Sequence, residues 1–256
     1  MQRAIASEMD VLMTEPEATL FLDFDGTITR RDATDAILEA FADPAWLEVE
    51  HAWLAGRIGS RECLRAQMAL VSASTADVDA LLDGIEVDPG LETLLDTCTV
   101  RGIPLHIISD GFDYCIRRIL SRPDRGLLPR LASSQIVSSG LAPDPREGHW
   151  RTTFAEPQEP CEHNCATCKP AAMKRLAAGD LMVFVGDGLS DQHAAALADI
   201  VFAKDKLISF CESAGILYSP YHTLDDVARA VERMLPTLAR LSGPSATRSR
   251  KVVPTA

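Results

Sequence analysis

The chain has 256 residues, of which 46% are hydrophobic and 24% charged, and its net charge is −12. This composition is typical of a globular protein, and the acidity argues against a nucleic-acid partner, because phosphate backbones attract basic surfaces. The first residues include acids and no long apolar run, and no stretch approaches the roughly 18–20 apolar residues of a membrane-spanning helix. We therefore expect a cytoplasmic protein with no membrane contact.

Apolar runs of strand length recur along the chain without strict alternation, which is the pattern of parallel strands buried on both faces. Helical patterns separate them, and the segments 133–143 and 149–157 suggest a short hairpin. This alternation predicts an α/β fold built on a doubly wound parallel sheet. The predicted strands are 18–24, 103–109, 181–187, 199–203 and 216–220, and the clearest helices are 89–102, 169–179 and 224–241.

One segment breaks the alternation. Residues 30–88 contain helical patterns but no convincing strand, which predicts a helical cap inserted directly after the first strand. The core would then consist of 18–29 and 89–241, preceded by an N-terminal segment, 1–17. The last residues, 242–256, are polar and locally basic, which predicts a disordered tail.

Polar residues follow three of the predicted strands, and a lysine begins the helix before the third. Because ligands bind at the carboxyl ends of the strands in an open α/β sheet, we expect these side chains to converge on one site. The set is Asp23, Asp25, Ser109, Asp110, Gly111, Lys169, Asp187 and Asp191.

Three of these residues point to a metal ion. Asp23 and Asp25 lie two positions apart at the end of a strand, where their carboxylates repel each other unless a cation lies nearby. Together with Asp187 they offer only oxygen ligands, which suit a hard cation such as Mg²⁺.

Other residues of the set are suited to a phosphate group. Ser109 supplies a hydroxyl donor and Lys169 an ammonium, and backbone N–H groups near Asp110 and Gly111 could add donors. A phosphate dianion is repelled by carboxylates unless a metal ion and a lysine neutralise it. The pattern therefore predicts phosphate chemistry assisted by Mg²⁺.

The motifs DFDGT, SDG, Lys169 and GDGLSD, in this order, resemble those of the haloacid dehalogenase-like hydrolases over most of residues 18–203. A helical insertion after the first motif resembles the phosphoserine phosphatase subgroup. The stretches AGRIGSRECLRAQMALV and CATCKPAAMK resemble the methionine-salvage 2-hydroxy-3-keto-5-methylthiopentenyl-1-phosphate phosphatases. The resemblance implies a Mg²⁺-dependent phosphoric monoester hydrolase acting on a small phosphorylated metabolite.

The resemblance also implies a role for each motif residue. Asp23 would be the nucleophile that forms an aspartyl-phosphate, and Asp25 would protonate the leaving group and then activate water. The backbone carbonyl of Asp25 and the side chains of Asp23 and Asp187 would hold Mg²⁺. Lys169 and Ser109 would bind the phosphoryl oxygens. Asp191 would orient either the metal site or the lysine.

Two residues of the predicted cap are candidates for substrate contact. Asp32 falls where phosphoserine phosphatases carry an acidic substrate-side residue, and Gln67 falls where they carry an arginine for the substrate carboxylate. A neutral amide cannot replace a guanidinium, so phosphoserine is disfavoured as substrate. Trp46 and Trp53, at helical spacing, favour packing inside the cap over a substrate-binding surface.

A cluster of potential zinc ligands precedes Lys169. Cys161, His163, Cys165 and Cys168 lie within eight residues and could bind Zn²⁺ tetrahedrally as a structural site. Two alternatives stay open, namely reduced thiols that pack a loop and a reversible disulfide.

Two alternatives to a phosphatase also stay open. A phosphotransferase would pass the phosphoryl group to an acceptor other than water, and a phosphate-sensing or zinc-bearing interaction protein would use the fold without hydrolysis. The sequence leaves the oligomeric state open.

Overall fold

The computed structural model describes residues 18–122, 126–132, 135–146, 148–155, 163–177 and 181–241. The predicted N-terminal segment 1–17 and the predicted tail 242–256 lie outside the described residues.

A seven-stranded sheet, ordered β4-β3-β2-β1-β5-β6-β7, forms the centre of the described part. All neighbouring strands are parallel except β3 and β4, which form the predicted hairpin. The predicted α/β parallel sheet is thereby confirmed, although β7 is shorter than the predicted 216–220. The strands are β1 (Ala18–Leu22), β2 (Leu105–Phe112), β3 (Ile136–Pro143), β4 (Trp150–Thr153), β5 (Leu181–Gly186), β6 (Ile200–Ala203) and β7 (Ser219–Pro220).

Helices cover both faces of this sheet. Successive residues of β1 point to opposite faces, so that Leu20 and Leu22 belong to one buried cluster and Phe21 to the other. No described helix is long and apolar enough to cross a lipid bilayer. The helices are α1 (Ala33–Phe41), α2 (Trp46–Leu54), α3 (Ser60–Met68), α4 (Thr75–Asp83), α5 (Gly90–Arg101), α6 (Asp113–Leu120), α7 (Lys169–Leu176), α8 (Gln192–Leu197), α9 (Asp205–Ala214) and α10 (Leu224–Leu241).

The register of the three central strands determines which polar residues become neighbours. Leu22, the last residue of β1, pairs with Ile107 of β2 on one side and with Val185 of β5 on the other. Asp23 is one residue beyond this level, and Ser109 and Asp187 are two residues beyond it. Parallel pairing therefore brings all three to the same edge of the sheet.

Helices α1 to α4 form the segment between β1 and α5, here called the inserted helices. The chain enters and leaves this segment at adjacent points, because Thr29 and Val87 form an isolated antiparallel bridge. The N–H of Asp88 donates to the carbonyl of Ile28 at 2.8 Å. The predicted cap boundaries fall here, and the division into core and cap stays a prediction.

Candidate active site

A tight turn follows β1 and presents its two aspartates. The carbonyl of Phe24 accepts hydrogen bonds from the N–H groups of Thr27, Ile28 and Thr29 at 3.3, 2.8 and 3.0 Å. Gly26 lies inside this turn with φ +76°, and a Cβ added there would lie 2.3 Å from Oδ2 of Asp187. The turn therefore needs glycine both for its backbone conformation and for the close approach of a carboxylate.

Lys169 lies between two buried carboxylates. Its Nζ is 2.6 Å from Oδ1 of Asp23 and 2.6 Å from Oδ1 of Asp191, and it also donates to the hydroxyl of Ser190 at 3.4 Å. Side-chain exposure is 1% for Lys169, 6% for Asp23 and 0% for Asp191. The cation nearest to Asp23 among the described residues is thus this lysine, the first residue of α7.

Asp191 connects Lys169 to the neighbouring loop. While its Oδ1 accepts from the lysine, its Oδ2 accepts the backbone N–H groups of Asp187 and Gly188 at 2.9 and 3.0 Å. The hydroxyl of Thr27 donates to Oδ1 of Asp187 at 2.9 Å. These contacts hold the carboxylate of Asp187 and the ammonium of Lys169 in a shared network, and the orienting role of Asp191 stays a prediction.

Asp25 lies at the start of the inserted helices. Its Oδ1 accepts the N–H of Ala33, the first residue of α1, at 2.8 Å. Gly111 makes room on its other side, because a Cβ added at Gly111 would lie 2.3 Å from Oδ2 of Asp25. Asp25 therefore has one oxygen held by a helix N-terminus and the other directed toward β2.

From the sequence we expected the motif of Ser109, Asp110 and Gly111 to follow the second strand. In the structure the motif lies inside β2 instead. β2 continues to Phe112, and its register with β3 shifts between Ile108 and Phe112. Such irregularities re-aim side chains next to active sites. Ser109 is buried, and its Oγ accepts the N–H of Gly111 at 2.9 Å, so this backbone donor already has a partner.

Asp110 has contacts that the sequence did not indicate. Its Oδ2 accepts the hydroxyl of Ser60, the first residue of α3, at 2.7 Å, and its Oδ1 accepts the N–H of Thr167 at 3.0 Å. The place predicted for Asp110 in the phosphate-binding motif rests on backbone N–H donors and stays a prediction, while both of its carboxylate oxygens bind protein groups. A negative carboxylate would also repel a phosphate dianion.

Burial and mutual repulsion shift the pKa values of the site. Burial, with repulsion from Asp191, raises the pKa of Asp23 well above its usual range, although Lys169 opposes the shift. Burial, with repulsion from Asp32, does the same for Asp25. Burial and Asp191 raise the pKa of Asp187 to about 7. Burial lowers the pKa of Lys169, but the surrounding carboxylates outweigh this effect and raise it, so the lysine carries a charge at neutral pH.

The carboxylates form a possible metal site. Asp23, Asp187 and Asp191 each place one oxygen within 4.8 Å of the others, and no other group of three His, Cys, Asp or Glu side chains among the described residues does so. Both oxygens of Asp191 already accept protein donors, which leaves the side chains of Asp23 and Asp187 as the available oxygen donors. Such a set fits Mg²⁺ better than Zn²⁺.

A cavity of about 690 Å³ lies between these residues and the inserted helices. Both predicted substrate-side residues line it. Asp32 is the N-cap of α1, and Gln67 of α3 donates its amide to Oε2 of Glu50 at 2.9 Å. Trp53 also lines the cavity, whereas Trp46 packs against the main hydrophobic cluster, so the packing role expected for Trp53 stays a prediction.

Two of these wall residues, Glu50 and Trp53, were missed as site candidates. They lie three positions apart on α2, so they share a helix face, but that spacing alone does not distinguish a cavity wall from a packed face. Thr27 was missed as well, although it belongs to the DFDGT motif.

The described part of the cysteine cluster does not support zinc. Cys161 lies outside the described residues, and His163, Cys165 and Cys168 do not bring three ligand atoms together. The imidazole of His163 instead packs against that of His193, with ring centroids 3.9 Å apart.

The chain is similar to known hydrolases and phosphatases. The family model of the haloacid dehalogenase-like hydrolases matches residues 20–196. A relative from Geobacillus kaustophilus, named 2-hydroxy-3-keto-5-methylthiopentenyl-1-phosphate phosphatase, is 32% identical over 222 residues, covering 85% of this chain and 97% of the relative. A protein of the same name from Bacillus thuringiensis is 29% identical over 220 residues, covering 84% and 96%.

Solved structures share the fold. A HAD family hydrolase from Salmonella enterica serovar Typhi superposes with a TM-score of 0.62 and 16% identity, covering 82% of this chain and 69% of its own. A substrate-bound phosphoserine phosphatase superposes with a TM-score of 0.59 and 18% identity, covering 87% and 99%.

Proposed function

Because the chain belongs to the haloacid dehalogenase-like hydrolase family, we propose that it is a Mg²⁺-dependent phosphatase acting on a small phosphomonoester metabolite. One observation carries the proposal. The carboxylate of Asp23 is buried, paired with the ammonium of Lys169, and lines the same cavity as Asp25. This arrangement offers a nucleophile and an acid on the same cavity, with a cation paired to the nucleophile.

In the first half of the reaction, an oxygen of Asp23 attacks phosphorus and the bond between phosphorus and the ester oxygen breaks. Asp25 donates a proton to that leaving oxygen, which departs as an alcohol. The raised pKa of Asp25 supports this role, because a general acid must hold its proton near the working pH. The product on the protein is an aspartyl-phosphate at Asp23.

In the second half, water attacks the phosphorus of the aspartyl-phosphate. Asp25, now deprotonated, takes a proton from that water, and the bond from phosphorus to Asp23 breaks. Inorganic phosphate leaves and both aspartates return to their starting states. The helix N-terminus that binds Oδ1 of Asp25 keeps the carboxyl in one place through both proton transfers.

The donor set fits Mg²⁺, which the side chains of Asp23 and Asp187 and the backbone carbonyl of Asp25 would hold. Bound there, Mg²⁺ would neutralise charge on the transferring phosphoryl group. Lys169 and the hydroxyl of Ser109 would bind the remaining phosphoryl oxygens. Asp191 would keep Lys169 in position through its 2.6 Å ion pair.

The inserted helices would select the leaving group, because the sheet edge contacts only the phosphate. Gln67, at the position where phosphoserine phosphatases carry an arginine, donates its amide to Glu50, which disfavours phosphoserine at that position. The cavity lining also includes Arg30, Lys204 and Lys206. The names of the relatives favour 2-hydroxy-3-keto-5-methylthiopentenyl-1-phosphate as the ester.

The test is release of inorganic phosphate from a panel of metabolite phosphomonoesters, with Mg²⁺ or with EDTA. We compare the wild type with Asp23→Asn and with Asp96→Asn, a matched loss of one carboxylate on the exposed side of α5. The proposal expects release that EDTA and Asp23→Asn abolish and Asp96→Asn preserves. Release that survives Asp23→Asn would contradict the nucleophile, and absence of release from every ester would contradict the phosphatase.

A further inference from the structure

Three separate segments meet at the side chain of Asp110. Asp110 belongs to β2, the hydroxyl that it accepts belongs to Ser60 at the start of α3, and the N–H that it accepts belongs to Thr167. The hydroxyl of Ser60 also accepts the N–H of Ala166 at 2.8 Å. Ser60 and Asp110 therefore hold two consecutive backbone N–H groups of one loop, and we call this set of contacts the Ser60–Asp110 clamp.

The clamped loop leads directly into the catalytic lysine. Thr167 is two residues before Lys169, and both Ala166 and Thr167 are buried. With their N–H groups held, the chain enters α7 at a defined point, which determines where the side chain of Lys169 begins. A shift of α3 would therefore move this loop, and with it the ammonium of Lys169 that pairs with Asp23.

Further contacts bind the start of α3 to this loop. The N–H of Arg61 donates to the carbonyl of Asn164 at 3.2 Å. A Cβ added at Gly59 would lie 2.5 Å from the Cβ of Asn164, so the two backbones are packed closely. α3 also carries Gln67, which lines the cavity on the leaving-group side. One helix therefore contacts both the leaving-group wall and the loop before Lys169.

We propose that Ser60 and Asp110 are positioning residues, which align Lys169 with the phosphoryl group only when the inserted helices are seated over the cavity. The inference rests on the proposed function and adds a coupling to it. Lys169 stabilises charge that develops during phosphoryl transfer, so its misplacement should slow turnover more than it weakens substrate binding. Through the clamp, fast turnover would depend on the inserted helices lying over the cavity.

The kinetic test uses p-nitrophenyl phosphate, whose good leaving group makes little demand on proton donation by Asp25. We compare Ser60→Ala with Ser60→Thr, which keeps the hydroxyl, and with Ser213→Ala, a matched change on an exposed face of α9. Loss of the two hydrogen bonds of Ser60 should lower kcat about tenfold with little change in KM. Ser60→Thr should restore most of kcat, and Ser213→Ala should equal the wild type.

A second measurement does not need activity. Amide hydrogen exchange in residues 163–169 should become faster in Ser60→Ala, with unchanged protection in β1 and β5. The double variant Ser60→Ala with Asp110→Asn should lose no more kcat than the more impaired single variant, because both belong to one clamp.

Several outcomes would overturn the clamp. A kcat for Ser60→Ala within twofold of the wild type would do so, as would a change in KM alone or unchanged exchange in 163–169. If the wild type itself hydrolyses no phosphomonoester, the proposed function fails, and the exchange experiment still decides whether the clamp holds the loop.

Discussion

Replacing Lys169 by methionine tests the buried charge network most directly. Methionine keeps the length and much of the volume of the lysine side chain but removes its charge. The variant leaves Asp23 and Asp191 facing each other with no cation, although both are almost completely inaccessible to water. Two like charges in that environment either repel or take up protons, and both outcomes cost free energy of folding.

The size of the effect follows from the geometry. Lys169 makes two ion pairs of 2.6 Å with side chains that are at most 6% exposed. Removing one partner of such a buried pair typically costs about 3–5 kcal/mol, because the remaining charge is left uncompensated. The free energy of unfolding measured in urea should therefore fall by about 3–5 kcal/mol.

The assay is urea denaturation at neutral pH without Mg²⁺, followed by circular dichroism. Lys174→Met on the same helix is the matched control, because Lys174 is exposed and should change the free energy of unfolding by less than about 0.5 kcal/mol. Combining Lys169→Met with Asp191→Asn should recover part of the loss, because it removes one of the two repelling charges. Equal stability of Lys169→Met and Lys174→Met would refute the reasoning.

Three further predictions concern the metal, strand β2 and the core. Chelation of Mg²⁺ should abolish phosphate release and excess Mg²⁺ should restore it; activity that persists in EDTA would contradict the metal site. Gly111→Ala should lower kcat at least about tenfold in a phosphate-release assay, because its Cβ displaces the carboxylate of Asp25, whereas an unchanged kcat would contradict the contact. Ile37→Ala, at a site with 0% exposure, should cost about 2–5 kcal/mol in urea denaturation; a loss below about 1 kcal/mol would contradict close packing there.

Local sequence patterns determined the type and order of most elements. The uninterrupted apolar runs at β1, β2 and β5 predicted buried parallel strands, because only strands covered on both faces lack polar alternation. The carboxylates and the lysine were predicted to converge because each follows a strand or begins a helix at the same edge of the sheet. Periodicity and helix boundaries depend on neighbouring residues, so a short window of sequence contains this information.

The contacts of individual side chains depended on the tertiary structure. Lys169 and Asp23 are 146 positions apart, and Asp110 is 50 positions from Ser60 and 57 from Thr167. No pattern within either segment specifies such a partner, because the pairing depends on which strands become neighbours and on their register. For the same reason, the sequence did not show that both carboxylate oxygens of Asp110 accept protein donors.

The cavity wall also combines a feature that local sequence predicts with contacts that only the tertiary structure determines. The helical pattern of α2 was evident from the sequence, but an apolar residue at helical spacing can face either a packed core or a cavity. Only the placement of α2 over the sheet edge put Glu50 and Trp53 on the cavity and brought Gln67 to Glu50. The sequence by itself thus determined the phosphate-directed chemistry of the sheet edge, and the packing of the inserted helices decided what faces the leaving group, because that packing depends on contacts between distant segments.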